Sequence, residues 1–225
     1  MNQNELKKRV GIAATDYIQN GMIVGLGTGS TVYYFVEELG KRVQNGLSII
    51  GVTTSLATKQ QAEQLGIPLK SLDDVNSIDL VVDGADEIDP QLNGIKGGGG
   101  ALLFEKLVAT QSKEVIWIVD ESKMVDCLGA FPLPVEVVQY GHTHLLRYFE
   151  EKGYHPVLRM RDEKVFVTDD GNFIIDLHLK RIDDAVQLQK ELNDLVGVVE
   201  HGLFLNQTRR VLVGKQNTVE VIEHV

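Results

Sequence analysis

The chemistry this sequence can perform is concentrated in one stretch, DGADEIDPQLNGIKGGGGALLFEK, residues 83–106, where carboxylates, lysines and four consecutive glycines stand together. Glycine loses more conformational freedom on folding than any other residue, so a run kept at a strand-to-helix junction implies backbone held close to a ligand. Asp83 and Asp86 close the apolar run DLVVDGAD, and a strand end delivers side chains into a cleft. Paired carboxylates there suit acid–base work or hydrogen bonding to sugar hydroxyls. They suit a metal less well, because no histidine is near and the lysines compete with a cation. Glu87 and Asp89, in the loop leading to Pro90, read as solvated acids. On the wheel of ALLFEKLVATQ, Glu105 falls opposite Leu103 and Leu107, so the two leucines are expected to face the core and Glu105 to point away. Within about two turns of the glycine run, its carboxylate can act as a base on a bound ligand. Lys96 at the rim of the run, and Lys123 at the end of WIVDESK, can balance anionic charge, although a surface role is the simpler expectation for either lysine alone.

A second cluster is GLGTGST, residues 25–31. Its spacing departs from the dinucleotide fingerprint, with Ser30 where the third glycine belongs, and the next strand ends in Thr53, Thr54 and Ser55 instead of a ribose-binding acid. No Gly-Lys pair precedes Ser30 or Thr31, so it is no Walker loop either. What remains is a helix N-terminus with the hydroxyls of Thr28, Ser30 and Thr31 around Gly29, which suits a single phosphate monoester. A tight turn capped by Ser or Thr accounts equally for the motif taken by itself.

These residues need elements to position them. Over the first 126 residues, short apolar runs (MIVGLG, LSIIGVTT, DLVVDGAD, EVIWIVD) alternate with amphipathic stretches, which argues for a mostly parallel, Rossmann-like sheet with helices on both faces. Ligands of such sheets bind outside the carboxyl ends of the strands, where GLGTGST, TTS, DGAD and DESK all fall. At AFPLPVEVV the grammar changes. PVEVV, HLLRYFEEKG, HPVLRMR, NFIIDLHL, DDAVQLQKELNDL and VVEHGLF spell β-α-β-β-α-β, the order of a smaller ferredoxin-like α+β domain. The expected division is 1–130 with 206–225 for the first domain and 131–205 for the second.

The formal charge of −10 gives a field that repels nucleic acid and anionic membrane surfaces. Cys127 is the one cysteine, which excludes an intrachain disulfide and fits a reducing compartment. No apolar run approaches the roughly 18 residues of a membrane span, and the N-terminus carries no signal-type core, so a cytoplasmic protein is expected.

Taken in order along nearly the whole chain, GLGTGSTV, TTSLATKQQAEQLGIPL, DGADEID, KGGGGALLFEK and DESK resemble ribose-5-phosphate isomerases of type A. The resemblance implies an aldose–ketose isomerase of the pentose phosphate pathway that needs no metal or organic cofactor. It implies Glu105 as the base, with Asp83, Asp86 and Lys96 beside it, and substrate contacts from Thr28, Gly29, Ser30, Thr31, Gly84, Ala85, Gly97, Gly98, Gly99 and Lys123. It also implies a homo-oligomer, a dimer in the simplest case, whose only other partner is a small sugar phosphate. Two rivals stand beside it: a sugar-phosphate sensor, against which the absence of a DNA-binding helix-turn-helix or basic segment counts, and a nicotinamide-dependent dehydrogenase, weakened by Ser30 and the missing ribose-binding acid.

Overall fold

The computed structural model describes residues 3–224. The chain forms two compact units: one holds the residues up to Ala85, Phe104–Met124 and those from Asn206 onward, and the other holds Asp86–Leu103 and Val125–Leu205. The second unit thus also contains 86–103 and 125–130, which the sequence pattern assigns to the first. Strand pairing accounts for 86–103, because Glu87–Ile88 pairs with Gly94–Ile95, and Gly94–Ile95 with Leu203–Phe204; 125–130 follows through Val125 N–H on Ile88 O and Gly129 N–H on Glu87 Oε2.

The first unit is built on a six-stranded sheet. Ile23–Leu26, Ile50–Thr53, Ile78–Asp83, Ser112–Asp120 and Arg210–Gly214 run parallel, and Val219–Glu223 closes one edge antiparallel as the return arm of a hairpin. Across the sheet the order is 50–53, 23–26, 78–83, 112–120, 210–214, 219–223. From Ile23–Leu26 the chain moves first to one side and then to the other, so the topological switch point lies between Ile23–Leu26 and Ile78–Asp83. The strands are nearly continuous apolar runs because both faces are covered. Val24, Leu26, Leu80, Val82, Ile116, Ile118 and Leu212 pack with Val10 and Ala14 of helix Gln3–Ala14 and Val32, Phe35, Val36 and Leu39 of helix Ser30–Gln44. On the opposite face, Gly25 leaves room for Val81 and for Val108 of helix Leu102–Thr110.

In the second unit a four-stranded antiparallel sheet has the order 198–201, 133–137, 173–177, 156–158. Numbered along the chain this is 4-1-3-2, the ferredoxin-like arrangement expected from the β-α-β-β-α-β pattern. Helices His142–Glu151 and Ala185–Asn193 bury Leu145, Phe149, Leu188 and Leu192 against Val135, Val137, Ile175 and Leu177. VVEHGLF, expected as one strand, is two: Val198–His201 belongs to this sheet and Leu203–Phe204 to the small three-stranded one. Gly202 makes the break, since a Cβ there would lie 2.3 Å from Lys96 O and 2.8 Å from Pro134 Cδ.

Candidate active site

The loop after Ile23–Leu26 lies at the switch point of the first unit's sheet. Gly29 precedes helix Ser30–Gln44 with φ +116° and ψ 174°, an almost glycine-only conformation, and no side chain caps the helix. The first turn contains no acid, so the helix end keeps the partial positive charge of its backbone N–H groups. Thr28 is half-buried, Ser30 is exposed and Thr31 is buried at the helix start. The Thr28 hydroxyl lies 2.7 Å from Thr54 Oγ1 and 2.8 Å from Ser55 Oγ. Thr58 Oγ1 donates to Gly27 O at 2.8 Å. The hydroxyls that end the second strand therefore hold the loop in place.

Lys7, on the first helix, belongs to this cluster. Its Nζ donates to Ser30 Oγ at 3.0 Å, and four residues earlier Gln3 Nε2 donates to Asp120 Oδ2 at 3.3 Å. Helix Gln3–Ala14 reaches both because Gly11 lets it lie close on helix Ser30–Gln44: a Cβ on Gly11 would stand 2.8 Å from Phe35 N and 3.0 Å from Tyr34 Cβ. Asp120 caps the short turn Glu121–Lys123, accepting from Ser122 N–H at 3.1 Å. The half-buried Lys123 follows the same strand end.

Asp83 ends the neighbouring strand and is 2% exposed. Its Oδ1 accepts N–H bonds from Thr28 at 3.0 Å and Gly84 at 2.7 Å, so backbone donors offset the cost of burying the charge. Gly27 makes this fit possible, because the space its Cβ would occupy is filled by Asp83. Thr28, Asp83, Gly84 and Ser30, each expected from sequence, are thus brought together with Lys7.

Glu105 also belongs to this unit, and its orientation corrects the wheel. It is 5% exposed, whereas Leu107 is 43% exposed. The buried stripe of helix Leu102–Thr110 is Leu102, Glu105, Val108 and Ala109, with the spacing of one helical face. Glu105 lies on the inward side, where a carboxylate is withdrawn from bulk water.

In the second unit, Asp86 Oδ2 accepts the Gly98 N–H at 2.8 Å. Lys96 is 2% exposed, so the surface role expected for it alone does not hold; its Nζ sits 5.3 Å from the centre of the Phe204 ring. Gly97 and Gly100 take φ of +102° and +87°, and Gly100 N–H closes the turn on Gly97 O at 3.0 Å. Gly98 and Gly99 are exposed, and a Cβ at Gly98 would fall 2.7 Å from Asp86 Oδ1. Gly84 and Ala85 are half-buried.

Glu87 is a second correction. It is 4% exposed and accepts N–H bonds from Gly129 at 2.7 Å and Phe131 at 2.6 Å, fixing the loop that leads to Leu133–Val137. Asp89 organises its own turn, its Oδ1 accepting from Gln91 N–H and Asn93 N–H. Among the described residues no group of three or more His, Cys, Asp or Glu is placed to hold a metal, and no helix is long and apolar enough to cross a membrane.

An open parallel sheet whose switch point carries a helix N-terminus, hydroxyls and a lysine defines an α/β protein with a cluster suited to a small phosphate ester. Residues 50–218 match the family Ribose 5-phosphate isomerase A (phosphoriboisomerase A). Ribose-5-phosphate isomerase A of Streptococcus agalactiae serotype III (strain NEM316) is 60% identical, covering 98% of this chain and 99% of that protein. Among solved structures, D-ribose-5-phosphate isomerase in complex with phospho-erythronic acid superposes with a TM-score of 0.96 at 41% identity over 100% of both chains. Ribose 5-phosphate isomerase A from Methanocaldococcus jannaschii gives 0.94 at 41% identity over 99% of this chain and 100% of that one. The chain belongs to the ribose 5-phosphate isomerase A family, and it is an aldose–ketose isomerase.

Proposed function

We propose that the chain interconverts D-ribose 5-phosphate and D-ribulose 5-phosphate in the non-oxidative pentose phosphate pathway, moving one proton between C2 and C1 through a cis-enediolate. The observation that carries the mechanism is Glu105, a carboxylate buried on the inward stripe of the helix that follows the glycine run. Glu105 removes the C2 proton from the open-chain aldose and returns a proton to C1, while the hydroxyl proton on O2 passes to O1 and O2 becomes the carbonyl oxygen. Lys96 stabilises the developing oxyanion as a fixed positive charge, an effect of about 3 kcal/mol for one preorganised group. Asp83 and Asp86 relay protons among O1, O2 and the ring oxygen, since the sugar must open first. Thr28, Gly29, Ser30, Thr31 and Lys123 hold the 5-phosphate, and Lys7, already on Ser30, joins them. Gly84, Ala85, Gly97, Gly98 and Gly99 contact the sugar.

The phospho-erythronic acid held by the related structure is a phosphorylated hydroxy acid. Its carboxylate is planar and anionic like an enediolate, and the same compound is expected to compete with ribose 5-phosphate here. The single cysteine supports a cytoplasmic enzyme. The family resemblance supports a homodimer, which light scattering of the purified protein would test against a monomer mass of 24.9 kDa.

Glu105→Gln tests the base, because it keeps the side chain's size and removes its ability to take a proton. Substrate binding is expected to persist, and turnover to fall by about 10²- to 10⁴-fold. Exchange of the C2 proton with D₂O, followed by proton NMR, is expected to stop as well. Exchange at the wild-type rate would transfer the role to Asp83 or Asp86.

A further inference from the structure

The glycine run is the part of the second unit least able to hold its own shape, yet its peptide groups are held. Arg159 supplies the constraint. Its Nη1 donates to Gly97 O at 2.8 Å and to Gly98 O at 3.2 Å. The other edge of the guanidinium grips Asp176, with Nε on Oδ2 at 2.8 Å and Nη2 on Oδ1. Both side chains are largely withdrawn from solvent, at 14% and 17% exposure. They rise from sheet backbone, since Asp176 lies in strand Phe173–Leu177 and Arg159 exchanges backbone hydrogen bonds with Ile174 O and Phe166 N–H.

The Gly97 carbonyl and the Gly98 N–H are the two ends of one planar peptide group. Arg159 holds the carbonyl end, and the N–H end donates to Asp86 Oδ2 at 2.8 Å. A continuous line therefore runs from the Asp176 carboxylate through the Arg159 guanidinium and one peptide dipole to the Asp86 carboxylate. A cation on the carbonyl oxygen polarises the amide and strengthens its N–H as a donor. The same grip on Gly98 O turns the Gly99 N–H away from Arg159, because the peptide is trans.

We propose that Arg159, oriented by Asp176, is a positioning residue for the isomerisation: it sets the peptide groups of Gly97–Gly99 and, through the Gly98 N–H, the carboxylate of Asp86. This rests on the reading above, in which Asp86 and the glycine backbone meet the sugar. A lysine cannot replace the fork, since a point charge on a flexible stem can hold neither both carbonyls nor the bidentate pair with Asp176.

The test is a double-mutant cycle with Arg159→Lys, Asp86→Asn and the combination, assayed with ribose 5-phosphate, with inorganic phosphate as a competitive probe of the phosphate loop. Arg159→Lys is expected to lower kcat by about 10- to 100-fold, the size of lost charge-assisted hydrogen bonds, with KM and phosphate inhibition within about twofold of wild type. The double variant is expected to fall little below Asp86→Asn alone, because both changes interrupt one line. Wild-type kcat in Arg159→Lys, a change confined to KM, or losses that multiply in the double variant would each overturn the inference. Failure of the underlying reading looks different: Asp86→Asn alone would then keep full turnover, and coupling through Asp86 would fall with it. Should Arg159→Lys not fold by circular dichroism, Asp176→Asn leaves the cation in place without its orienting partner. A smaller loss in kcat alone is then expected, and full kcat would refute the role.

Discussion

A methyl group at Gly27 has nowhere to go. An ideal Cβ there would stand 2.1 Å from Asp83 Oδ1, 2.3 Å from its Cγ and 2.6 Å from its Cα. Because the last atom is backbone, rotating the Asp83 side chain cannot relieve the overlap, and Gly27→Ala must displace the residue itself. The carboxylate then loses the N–H bonds from Thr28 and Gly84. At about 1.5–3 kcal/mol for each hydrogen bond to a charged group, the upper bound is about 3–6 kcal/mol. Rehydration of the freed carboxylate returns part of this, so a net loss of about 2–4 kcal/mol is expected, comparable to other overpacked sites. Against a total stability of about 5–15 kcal/mol the variant still folds. Gly29→Ala is the control: nothing lies within 4 Å of its added Cβ, and the cost is the strain of φ +116° alone, about 1–3 kcal/mol. Urea unfolding gives the stability change and an isomerisation assay the turnover. Gly27→Ala should lose both stability and kcat, whereas Gly29→Ala should mainly raise KM, because it alters the phosphate loop without moving Asp83. A Gly27→Ala enzyme within about 0.5 kcal/mol of wild type and fully active would refute the argument that this contact sets Asp83.

Three further outcomes are expected. Lys7→Ala and Lys123→Ala should each raise KM for ribose 5-phosphate with little change in kcat; an unchanged KM in either removes that lysine from the phosphate anchor. Turnover should survive exhaustive EDTA, and loss restored by a divalent ion would contradict the metal-free mechanism. Glu136 is fully buried, its Oε1 accepting from Thr168 Oγ1 at 2.8 Å and Asn172 Nδ2 at 3.1 Å. Burial pushes its carboxyl above the ordinary 4.5, Asn172 and Thr168 oppose this, and Asp170 adds to the rise. A carboxyl raised in the folded state contributes its full stability below the unfolded value and loses it as pH climbs through the folded one. Glu136→Gln should therefore gain on wild type as pH rises above the ordinary carboxyl value, by at most about 1.4 kcal/mol per pH unit, and stability that changes in parallel for the two proteins there would refute it.

The sheet of the first unit was legible because strands buried on both faces are continuous apolar runs, and the second unit because its six elements follow one another in β-α-β-β-α-β order. The orientation of Glu105 was not. In a helix of nine residues, Leu102, Val108 and Ala109 suffice to fill the buried stripe, which leaves Leu107 exposed and carries Glu105 inward with them. A wheel that ranks leucine above glutamate reverses this. Glu87 escaped for a different reason: its partners, Gly129 and Phe131, lie more than 40 residues away, and no local pattern marks an acid that binds distant backbone. Lys7 carries no local signal either. Its contact with Ser30 depends on Gly11 bringing two helices together, a packing fact with no motif of its own.

The formal charge of −10 opposes an anionic substrate, but fields act over limited distance. At physiological ionic strength the Debye length is about 8 Å, so exposed acids farther from the phosphate loop are largely screened. At the proposed phosphate site the charge is local: a helix N-terminus with no acid in its first turn, the Thr28 and Ser30 hydroxyls, and Lys7. The nearest buried negative charge, Asp83, already has backbone N–H donors from Thr28 and Gly84 directed at it. On the proposed assignment, that placement lets one loop hold a carboxylate behind it and receive a phosphate in front, because the peptide N–H groups of Thr28 and of the helix start belong to different residues and need not be shared. Gly27, whose missing side chain admits Asp83, and Gly29, whose backbone angles start the helix uncapped, make both possible within three residues.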